Sequence, residues 1–356
     1  MPPLTPPADT AATVTPLTPL TSNGFTPLRV KRVVRETADA VSLVLDVPDG
    51  ERGRFAYRAG QFVTLRVCID GEEHQRCYSM SSCPALEPDL QITVKRDRGG
   101  LVSNWLNDTA EVGAEYIAAP PEGRFVLADT DREVVAFAGG SGITPVFSLL
   151  RSALSATART TGLYYANRDR DSVIFGESLS QLVAQHADRF TLHQHLDAAD
   201  GVVTARHVAD FMAGRAEAEV YVCGPTPFMD TVEAALLELG VPKERIHLER
   251  FTPVAAPAPE TNGAAVTEEV TIELGRTTVT QPYRAGNTLL QTARLAGLRA
   301  PSSCETGSCG TCMAQVTEGS ARMLNNDALD DDEVAEGWVV TCQALPTSRT
   351  VRVVYE

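Results

Sequence analysis

Four cysteines near the end of the chain are spaced as C-x4-C-x2-C, with a long gap before the fourth: Cys304, Cys309, Cys312 and Cys342. Thiolates with this spacing ligate a [2Fe-2S] cluster. The glycines of the loop between residues 304 and 312 let the backbone fold around a cluster and turn its N–H groups towards the sulfurs. The loop therefore predicts a centre that moves one electron at a time and binds no substrate.

The alternative interpretation of these cysteines is a structural zinc site. Such sites usually pair their ligands as two C-x2-C knuckles, and here only Cys309 and Cys312 have that spacing. The cluster is therefore favoured over zinc, and disulfides are favoured less because nothing in the sequence indicates export.

Two motifs upstream form a second group of chemistry-bearing residues. Arg76-Cys77-Tyr78-Ser79 is followed about twenty residues later by Gly99-Gly100-Leu101-Val102-Ser103-Asn104-Trp105-Leu106. Together they resemble the flavin-binding signature of ferredoxin reductase-type proteins. The first motif alone would also suit a strand with an exposed Arg and a buried Tyr.

The residue types in these motifs fit a flavin. Arg76 can pair with a pyrophosphate, Tyr78 offers a flat face to the isoalloxazine, and Ser79 can hydrogen-bond the N5 edge. Gly100 permits close backbone approach, and Ser103 can present its hydroxyl and N–H to phosphate. A diphosphate ligand favours FAD over FMN.

Residues near these motifs have weaker predicted roles. Val94 and Lys95, with Arg96, can reach the adenine side of the nucleotide, although a solvated basic pair is an equal alternative. The remaining barrel cysteines are interpreted as small packing residues without redox duty; they are Cys68, Cys77 and Cys83.

A glycine-rich turn marks a nucleotide site: Gly139-Gly140-Ser141-Gly142-Ile143-Thr144-Pro145 follows an apolar strand and opens a helix. Backbone N–H groups at such a turn hold a pyrophosphate. Pro145 replaces the third glycine of a Rossmann fingerprint, a departure that agrees with the ferredoxin reductase nucleotide domain. We expect the later Cys223-Gly224-Pro225 at the same sheet edge, with Cys223 beside the nicotinamide C4; the alternative is a buried structural thiol.

Two further segments complete the predicted nucleotide module. Asn167-Arg168 follows a strand where the adenosine ribose should lie, and Arg168 could bind the 2′-phosphate of NADPH or stack on adenine in an NADH enzyme. Phe251 is predicted to shield the nicotinamide-facing side of the flavin. Glu249 and Arg250 beside it suit an ordinary surface pair equally well.

The elements that must position these residues divide the chain into three modules. Residues 25–128 are strand-rich and predict an antiparallel β-barrel for FAD, and residues 129–251 alternate strand and helix, which predicts a doubly wound parallel α/β sheet for NAD. Residues 267–356 predict an α+β ferredoxin of the β-grasp type. The Pro/Thr-rich residues 1–24 are predicted to be a disordered arm and the Pro/Ala-rich residues 252–266 a linker.

Composition excludes some functions. The formal charge of −15 argues against nucleic acid, and the sequence has neither a signal peptide nor 18 consecutive apolar residues, so a cytoplasmic location without membrane association is expected. An acidic run lies between the third and fourth cysteines: Asp327, Asp330, Asp331, Asp332, Glu333 and Glu336. It can steer a partner with a basic patch or be a solvated helix face.

The order of the modules resembles that of three-module oxygenase reductases over residues 25 to 356, and within them the reductase components of 3-ketosteroid 9α-hydroxylases. The stretches that carry the finer likeness are Gln75–Ser79, Val94–Arg96, Ser103–Leu106, Tyr165–Arg168 and Ser172–Gly176. Glu305 departs from the loops of this family, which often carry a basic residue there. The added negative charge can lower the cluster potential or alter docking.

The resemblance implies that NADH gives a hydride to FAD, framed by Tyr78, Ser79 and Cys223, and that electrons leave singly through the cluster to a terminal oxygenase docked near the ferredoxin module. A Rieske-type oxygenase acting in steroid or aromatic catabolism is favoured. A haem-thiolate or diiron partner, of the phenylacetyl-CoA type, is the alternative within the same class, and a redox-sensing or docking protein is the alternative from another class. Because hydride transfer needs no titrating side chain, His193, His195 and His247 are interpreted as fold or surface residues.

Overall fold

The computed structural model describes residues 24–251, 267–302 and 304–355. The predicted arm, apart from Gly24, and the predicted linker lie outside the described residues. The boundaries of the three modules stay predictions, and each large sheet falls within one of them.

The first sheet is an antiparallel barrel. Its six strands run in the order β4-β3-β6-β1-β2-β5, and a bridge between Met80 and Ile92 joins the β4 side to β5. Leu28 and Val30 point into the barrel while their neighbours Arg29 and Lys31 are exposed, which is the period-two alternation of a half-buried strand. The elements are β1 (Thr26–Thr37), β2 (Ala40–Asp46), β3 (Phe62–Ile69), β4 (Glu72–Ser79), β5 (Leu90–Lys95), α1 (Leu101–Thr109) and β6 (Glu115–Ala118).

The second sheet is fully parallel, in the order β11-β10-β7-β8-β9. Its central strands are buried along their whole length because helices cover both faces. The chain starts at β7, proceeds to one side and then crosses to β10, so a topological switch point lies between β7 and β10. The elements are β7 (Val134–Gly139), α2 (Ile143–Ala156), β8 (Thr161–Asn167), α3 (Gly176–Gln185), β9 (Phe190–Leu196), α4 (Asp197–Asp200), α5 (Ala205–Met212), β10 (Glu219–Cys223), α6 (Thr226–Glu238) and β11 (Ile246–Glu249).

The third sheet is mixed, in the order β13-β12-β18-β14-β16, with a separate pair β15-β17. The first and last strands of the module, β12 and β18, pair in parallel at its centre. The elements are β12 (Glu269–Leu274), β13 (Thr277–Pro282), α7 (Leu289–Leu295), β14 (Met313–Glu318), β15 (Ala321–Met323), α8 (Asp331–Ala335), β16 (Trp338–Val340), β17 (Ala344–Pro346) and β18 (Thr350–Tyr355).

The three predicted architectures are confirmed, including the antiparallel and parallel sheets. Strands β15, β16 and β17 have three residues each, which is too short for an alternating pattern to be recognised in the sequence. Among the described residues, no helix has the length and apolar character needed to cross a membrane.

Candidate electron-transfer site

A cavity of about 380 Å³ lies where the three modules meet. It is lined by residues of the first motif, of the end of the second module and of the cysteine loop, among them Arg76, Ser79, Glu249, Phe251, Cys304 and Thr306. The predicted flavin motif and the predicted cluster loop therefore face one another across a single cavity.

The cysteine loop has the geometry of a cluster cradle. The backbone N–H of Thr306 donates to Cys304 Sγ and that of Thr311 donates to Cys309 Sγ, each at 3.4 Å. Gly310 has a φ of +78°, which a residue with a side chain rarely adopts. The predicted donors to sulfur are thus present.

The four thiols form two pairs. Cys304 is hydrogen-bonded to Cys309, and Cys312 to Cys342. This sharing lowers the pKa of Cys304 and raises the pKa of Cys309. Four thiolates in two pairs suit a two-iron cluster, in which each iron takes two of them, so the donor set fits the group.

Glu305, the unusual acid in this loop, is not isolated. Arg294 of α7 donates to its carboxylate at 2.5 Å. The two side chains are each nearly half exposed, so the pair lies in a solvated environment. The negative charge that the sequence places beside the cluster is therefore partly compensated.

The flavin motif occupies the end of β4. Arg76 is exposed, Tyr78 is partly buried and Ser79 is buried, so the motif passes from solvent into the cavity region. Burial raises the pKa of Tyr78, which keeps the phenol neutral. A guanidinium near solvent and a neutral aromatic face beside it fit the phosphate and ring ends of a flavin nucleotide.

The second flavin motif opens α1. A Cβ on Gly100 would lie 2.5 Å from Ser103 Oγ and 2.9 Å from the Cβ of Asp97, so this close turn requires glycine. Ser103 Oγ accepts a hydrogen bond from the Asp97 N–H at 3.2 Å, which leaves its own proton free to be donated. The turn is narrow enough for a phosphate to approach its backbone.

The other predicted flavin residues divide by exposure. Val94 and Val102 are buried in the barrel, so a ligand can reach only their backbone, whereas Leu101 is exposed. Gly99 has a φ of +78° in the turn before α1. Lys95 points to the second module, with Nζ 3.7 Å from the position a Cβ on Gly140 would take.

The two nucleotide motifs pack directly on each other. A Cβ on Gly142 would lie 2.1 Å from the carbonyl oxygen of Cys223, and one on Gly224 would lie 3.0 Å from the nitrogen of Gly139. This contact places the glycine turn and Cys223–Pro225 together at the switch point between β7 and β10, where open α/β sheets bind ligands. Thr144 and Pro145 are buried in the first turn of α2.

Cys223 and Glu249 lie side by side at the ends of β10 and β11, and Glu249 lines the cavity. Cys223 is fully buried, which raises the pKa of its thiol well above the usual range and keeps it neutral. Glu249 is also buried; burial, followed by the nearby Cys304, raises the pKa of its carboxyl to about 8. Ser79 Oγ donates to Glu249 Oε2 at 3.4 Å, which links the barrel to the second module.

The interpretation of Glu249 and Arg250 as a surface pair is wrong. Both are buried, and Arg250 pairs with Asp230 at 3.0 Å and with Glu233 at 2.7 Å on α6. The signal that could have found Glu249 is its position at the end of β11, one strand from Cys223 on the same sheet edge.

The ribose residues lie away from this cavity. Asn167 is buried at the end of β8, whereas the side chain of Arg168 is 72% exposed and pairs with Asp169 at 3.0 Å. Phe251, by contrast, lines the cavity and is 43% exposed. Its role in shielding the flavin stays a prediction.

The three histidines take part in packing. His195 bonds the Tyr164 hydroxyl at 2.8 Å and the Gly201 carbonyl at 2.7 Å, and His247 bonds Glu219 at 3.0 Å. His193 stacks on Tyr164. Their interpretation as fold residues agrees with these contacts.

Comparisons with known proteins identify all three modules. Residues 27–127 match the model of the oxidoreductase FAD-binding domain, residues 137–234 that of the oxidoreductase NAD-binding domain, and residues 272–347 that of the 2Fe-2S iron-sulfur cluster binding domain.

Full-length relatives share the same arrangement. The chain is 39% identical over 335 residues to the ferredoxin reductase component of 3-ketosteroid-9-alpha-monooxygenase from Rhodococcus rhodochrous, covering 92% of this chain and 95% of that one. It is 32% identical over 350 residues to one of the subunits of the Escherichia coli 1,2-phenylacetyl-CoA epoxidase, covering 93% and 98%. The solved structure of phthalate dioxygenase reductase superposes with a TM-score of 0.59 at 28% identity, covering 93% and 98%.

These findings define an electron-transfer oxidoreductase whose cofactors are FAD, NADH and a [2Fe-2S] cluster. The chain belongs to the three-module oxygenase reductases, the family that contains the reductase components of 3-ketosteroid 9α-monooxygenases.

Proposed function

We propose that this reductase carries electrons from NADH through FAD and the cluster to a separate Rieske-type oxygenase in steroid catabolism. The observation that carries the electron route is the single cavity shared by Ser79, Glu249 and Cys304. The steroid assignment is supported by identities of 38 to 40% to four 3-ketosteroid-9-alpha-monooxygenase reductases, against 32% to the phenylacetyl-CoA epoxidase protein.

When bound, the cofactors supply hydride acceptance and single-electron release, and the protein supplies position and electrostatics. For FAD, Arg76 would pair with the pyrophosphate, Tyr78 would flank the ring, and Ser79 would hydrogen-bond its N5 edge. The phosphates would also meet the turn Gly99–Ser103, with Val94 and Lys95 on the adenine side.

For NADH, the N–H groups of the turn Gly140–Pro145 and the start of α2 would hold the pyrophosphate. Asn167 and Arg168 would contact the adenosine ribose. Cys223, with Gly224 and Pro225 beside it, would stand against the nicotinamide as a neutral thiol, and Phe251 would exclude water from the flavin side.

For the cluster, Cys304, Cys309, Cys312 and Cys342 would be the ligands. Cys304 lines the cavity and is the partly exposed member of the four, so it offers the shortest approach from the flavin. We propose a cytoplasmic location as well; none of the eight cysteines, all in the described part of the chain, forms a disulfide, which suits a reducing compartment.

A second candidate function is supply of electrons to a haem-thiolate or diiron monooxygenase. The relative from the phenylacetyl-CoA epoxidase supports it at 32% identity over 93% of this chain. The sensor alternative is disfavoured because the first flavin motif, the end of the second module and the cysteine loop line one cavity, an arrangement that a protein without turnover would not need.

The test begins with anaerobic stopped-flow mixing of the purified protein with NADH, followed by visible absorbance. We expect bleaching of the flavin and then of the cluster. Electron delivery is next measured to three purified oxygenases, a 3-ketosteroid Rieske oxygenase, a phenylacetyl-CoA epoxidase and a P450, each with its substrate. Coupled turnover with the epoxidase or the P450 but not the Rieske enzyme would overturn the steroid assignment, and a cluster that never follows the flavin would overturn the reductase route.

A further inference from the structure

The acidic run of the ferredoxin module faces the rest of the protein. Residues 323–348 contain six Asp or Glu and no Lys or Arg. Three of the six carboxylates pair with basic side chains of the other modules: Asp327 with Arg250 at 3.7 Å, Asp331 with Lys243 at 3.3 Å and Glu333 with Arg124 at 3.5 Å. We name these six residues, Asp327, Asp330, Asp331, Asp332, Glu333 and Glu336, the acidic face.

The cluster loop is covered from the same side. Thr311 donates to Glu122 of the barrel at 2.7 Å, and a Cβ on Gly310 would lie 3.4 Å from Arg124 Nε. Arg124 also donates to the Ala328 carbonyl, next to the acidic face. One surface of the ferredoxin module therefore carries both the loop between two cluster ligands and half of its acidic residues.

These contacts suit a reversible association. The side chains of Lys243 and Asp331 are 78% and 91% exposed, and Arg124 is about half exposed. Ion pairs between solvated side chains contribute little free energy and are screened by salt. These two solvated pairs therefore add little to the cost of moving the module, whereas the pair of Asp327 with Arg250 is buried and must be broken as well.

We infer that the acidic face is also the surface on which the terminal acceptor docks, and that Arg124, Lys243 and Arg250 occupy it while the cluster is being reduced. This inference rests on the proposed function. The acceptor would present a patch of Lys and Arg side chains, because the acidic face already pairs with side chains of this kind within the protein. Since an electron must leave close to the cluster loop, the barrel and the acceptor must take turns on this surface.

Two double variants test whether the acidic face serves the acceptor as well as the internal contact. Both break the same two ion pairs, Arg124 with Glu333 and Lys243 with Asp331, but only one of them changes the acidic face itself. R124Q/K243Q removes the internal basic groups and keeps the acidic face. D331N/E333Q removes two charges of the acidic face, and the amide oxygen that E333Q introduces can still accept the hydrogen bond that the Asp330 N–H donates to Glu333 at 3.0 Å.

The probe is ferric cytochrome c, a protein with a basic surface. Each protein is reduced with dithionite, freed of excess reductant and mixed anaerobically with less than one equivalent of ferric cytochrome c. Only the first electron, which passes from the reduced cluster to the ferric haem, is then measured, and it does not depend on electron transfer from the flavin. We expect the second-order rate constant to rise roughly threefold in R124Q/K243Q, as the face is vacated, and to fall roughly tenfold in D331N/E333Q. Both effects should shrink at high salt.

If the rate constant for cytochrome c reduction changes in the same direction in both variants, or changes in neither, the inference that the acidic face is shared is wrong. Cluster absorbance and thermal unfolding establish that both variants are folded and loaded. Reduction of ferricyanide by NADH is measured in parallel. If the wild-type protein fails that reaction, the proposed function itself is wrong; if it passes and the variants do not diverge, only the shared surface is wrong.

Discussion

Gly142 offers a sharp test of the nucleotide site because its backbone would accept any residue. Its φ is −61°, in the helical region, so alanine brings no conformational strain. The obstacle is space: a Cβ would lie 2.1 Å from the Cys223 carbonyl oxygen and 2.7 Å from the Gly224 nitrogen. Both are main-chain atoms of a buried strand end and cannot rotate away.

The size of the effect follows from these distances. Non-bonded heavy atoms prefer separations of about 3.5 Å, so Gly142→Ala must push the glycine turn and the end of β10 apart by roughly 1 Å. A displacement of about 1 Å at a reacting site costs about 100-fold in rate, or about 2.7 kcal/mol of activation free energy. We expect NADH-dependent flavin reduction to slow by about that factor.

The assay is stopped-flow reduction of the bound flavin by NADH under anaerobic conditions. Flavin and cluster absorbance report that the variant is folded and loaded, since overpacking costs about 1–3 kcal/mol of stability. Gly176→Ala is the matched control: its Cβ would meet only Val173 Cγ1, at 3.6 Å, in the same module. We expect it to reduce its flavin at the wild-type rate.

Wild-type flavin reduction in Gly142→Ala would refute the reasoning. It would mean that the contact between the glycine turn and Cys223 does not position the nicotinamide. An equal loss of flavin reduction rate in Gly176→Ala would also refute the reasoning, because any methyl group added to this module would then slow the reaction.

Three further outcomes are expected. Cys312→Ser should abolish the cluster absorbance but leave NADH-dependent ferricyanide reduction, because the flavin site does not include this thiol; loss of bound FAD would contradict this. The wild-type protein should prefer NADH, and Arg168→Gln should change kcat/KM for NADH little, because Asp169 holds the guanidinium at 3.0 Å and repels a phosphate; a wild-type preference for NADPH that Arg168→Gln removes would argue the opposite. Burial raises the pKa of Glu36 above its ordinary value of 4.5, so the folded protein binds this proton more tightly than the unfolded chain, and the stability it contributes is present below pH 4.5 and lost as pH rises through the raised pKa. Glu36→Gln should therefore lose less Tm than the wild type as pH rises above 4.5, and parallel Tm curves would contradict this.

The motifs that sequence alone revealed are those whose chemistry is local. Cys304, Cys309 and Cys312 lie within nine residues, and a turn that short fixes their proximity whatever surrounds it. The glycine turn before Pro145 was recognisable for the same reason. Its position at the same sheet edge as Cys223 follows from a topological rule, that strands of a parallel sheet end at one edge, and the direct contact between them is seen only in the structure.

The same rule places Glu249 at this edge, but it does not show that the side chain is buried or that it meets Ser79. Glu249 and Ser79 are 170 residues apart, and nothing near Glu249 in the sequence indicates that it is buried. A charged residue beside Arg250 is most often on the surface, so the local pattern left the surface pair open as an equal alternative. Ser79 and Glu249 are both buried in the structure, where the three modules pack around one cavity.

Short-range patterns of glycine, cysteine and alternating apolar residues are enough to predict a flavin barrel, a nucleotide domain and a cluster loop in this chain. The tertiary structure decided where the cluster loop lies relative to the flavin motif and which way the acidic face points. Those features depend on contacts such as that of Arg124 with Glu333, between residues 209 positions apart, and the energy of such contacts exists only once the modules are folded and packed.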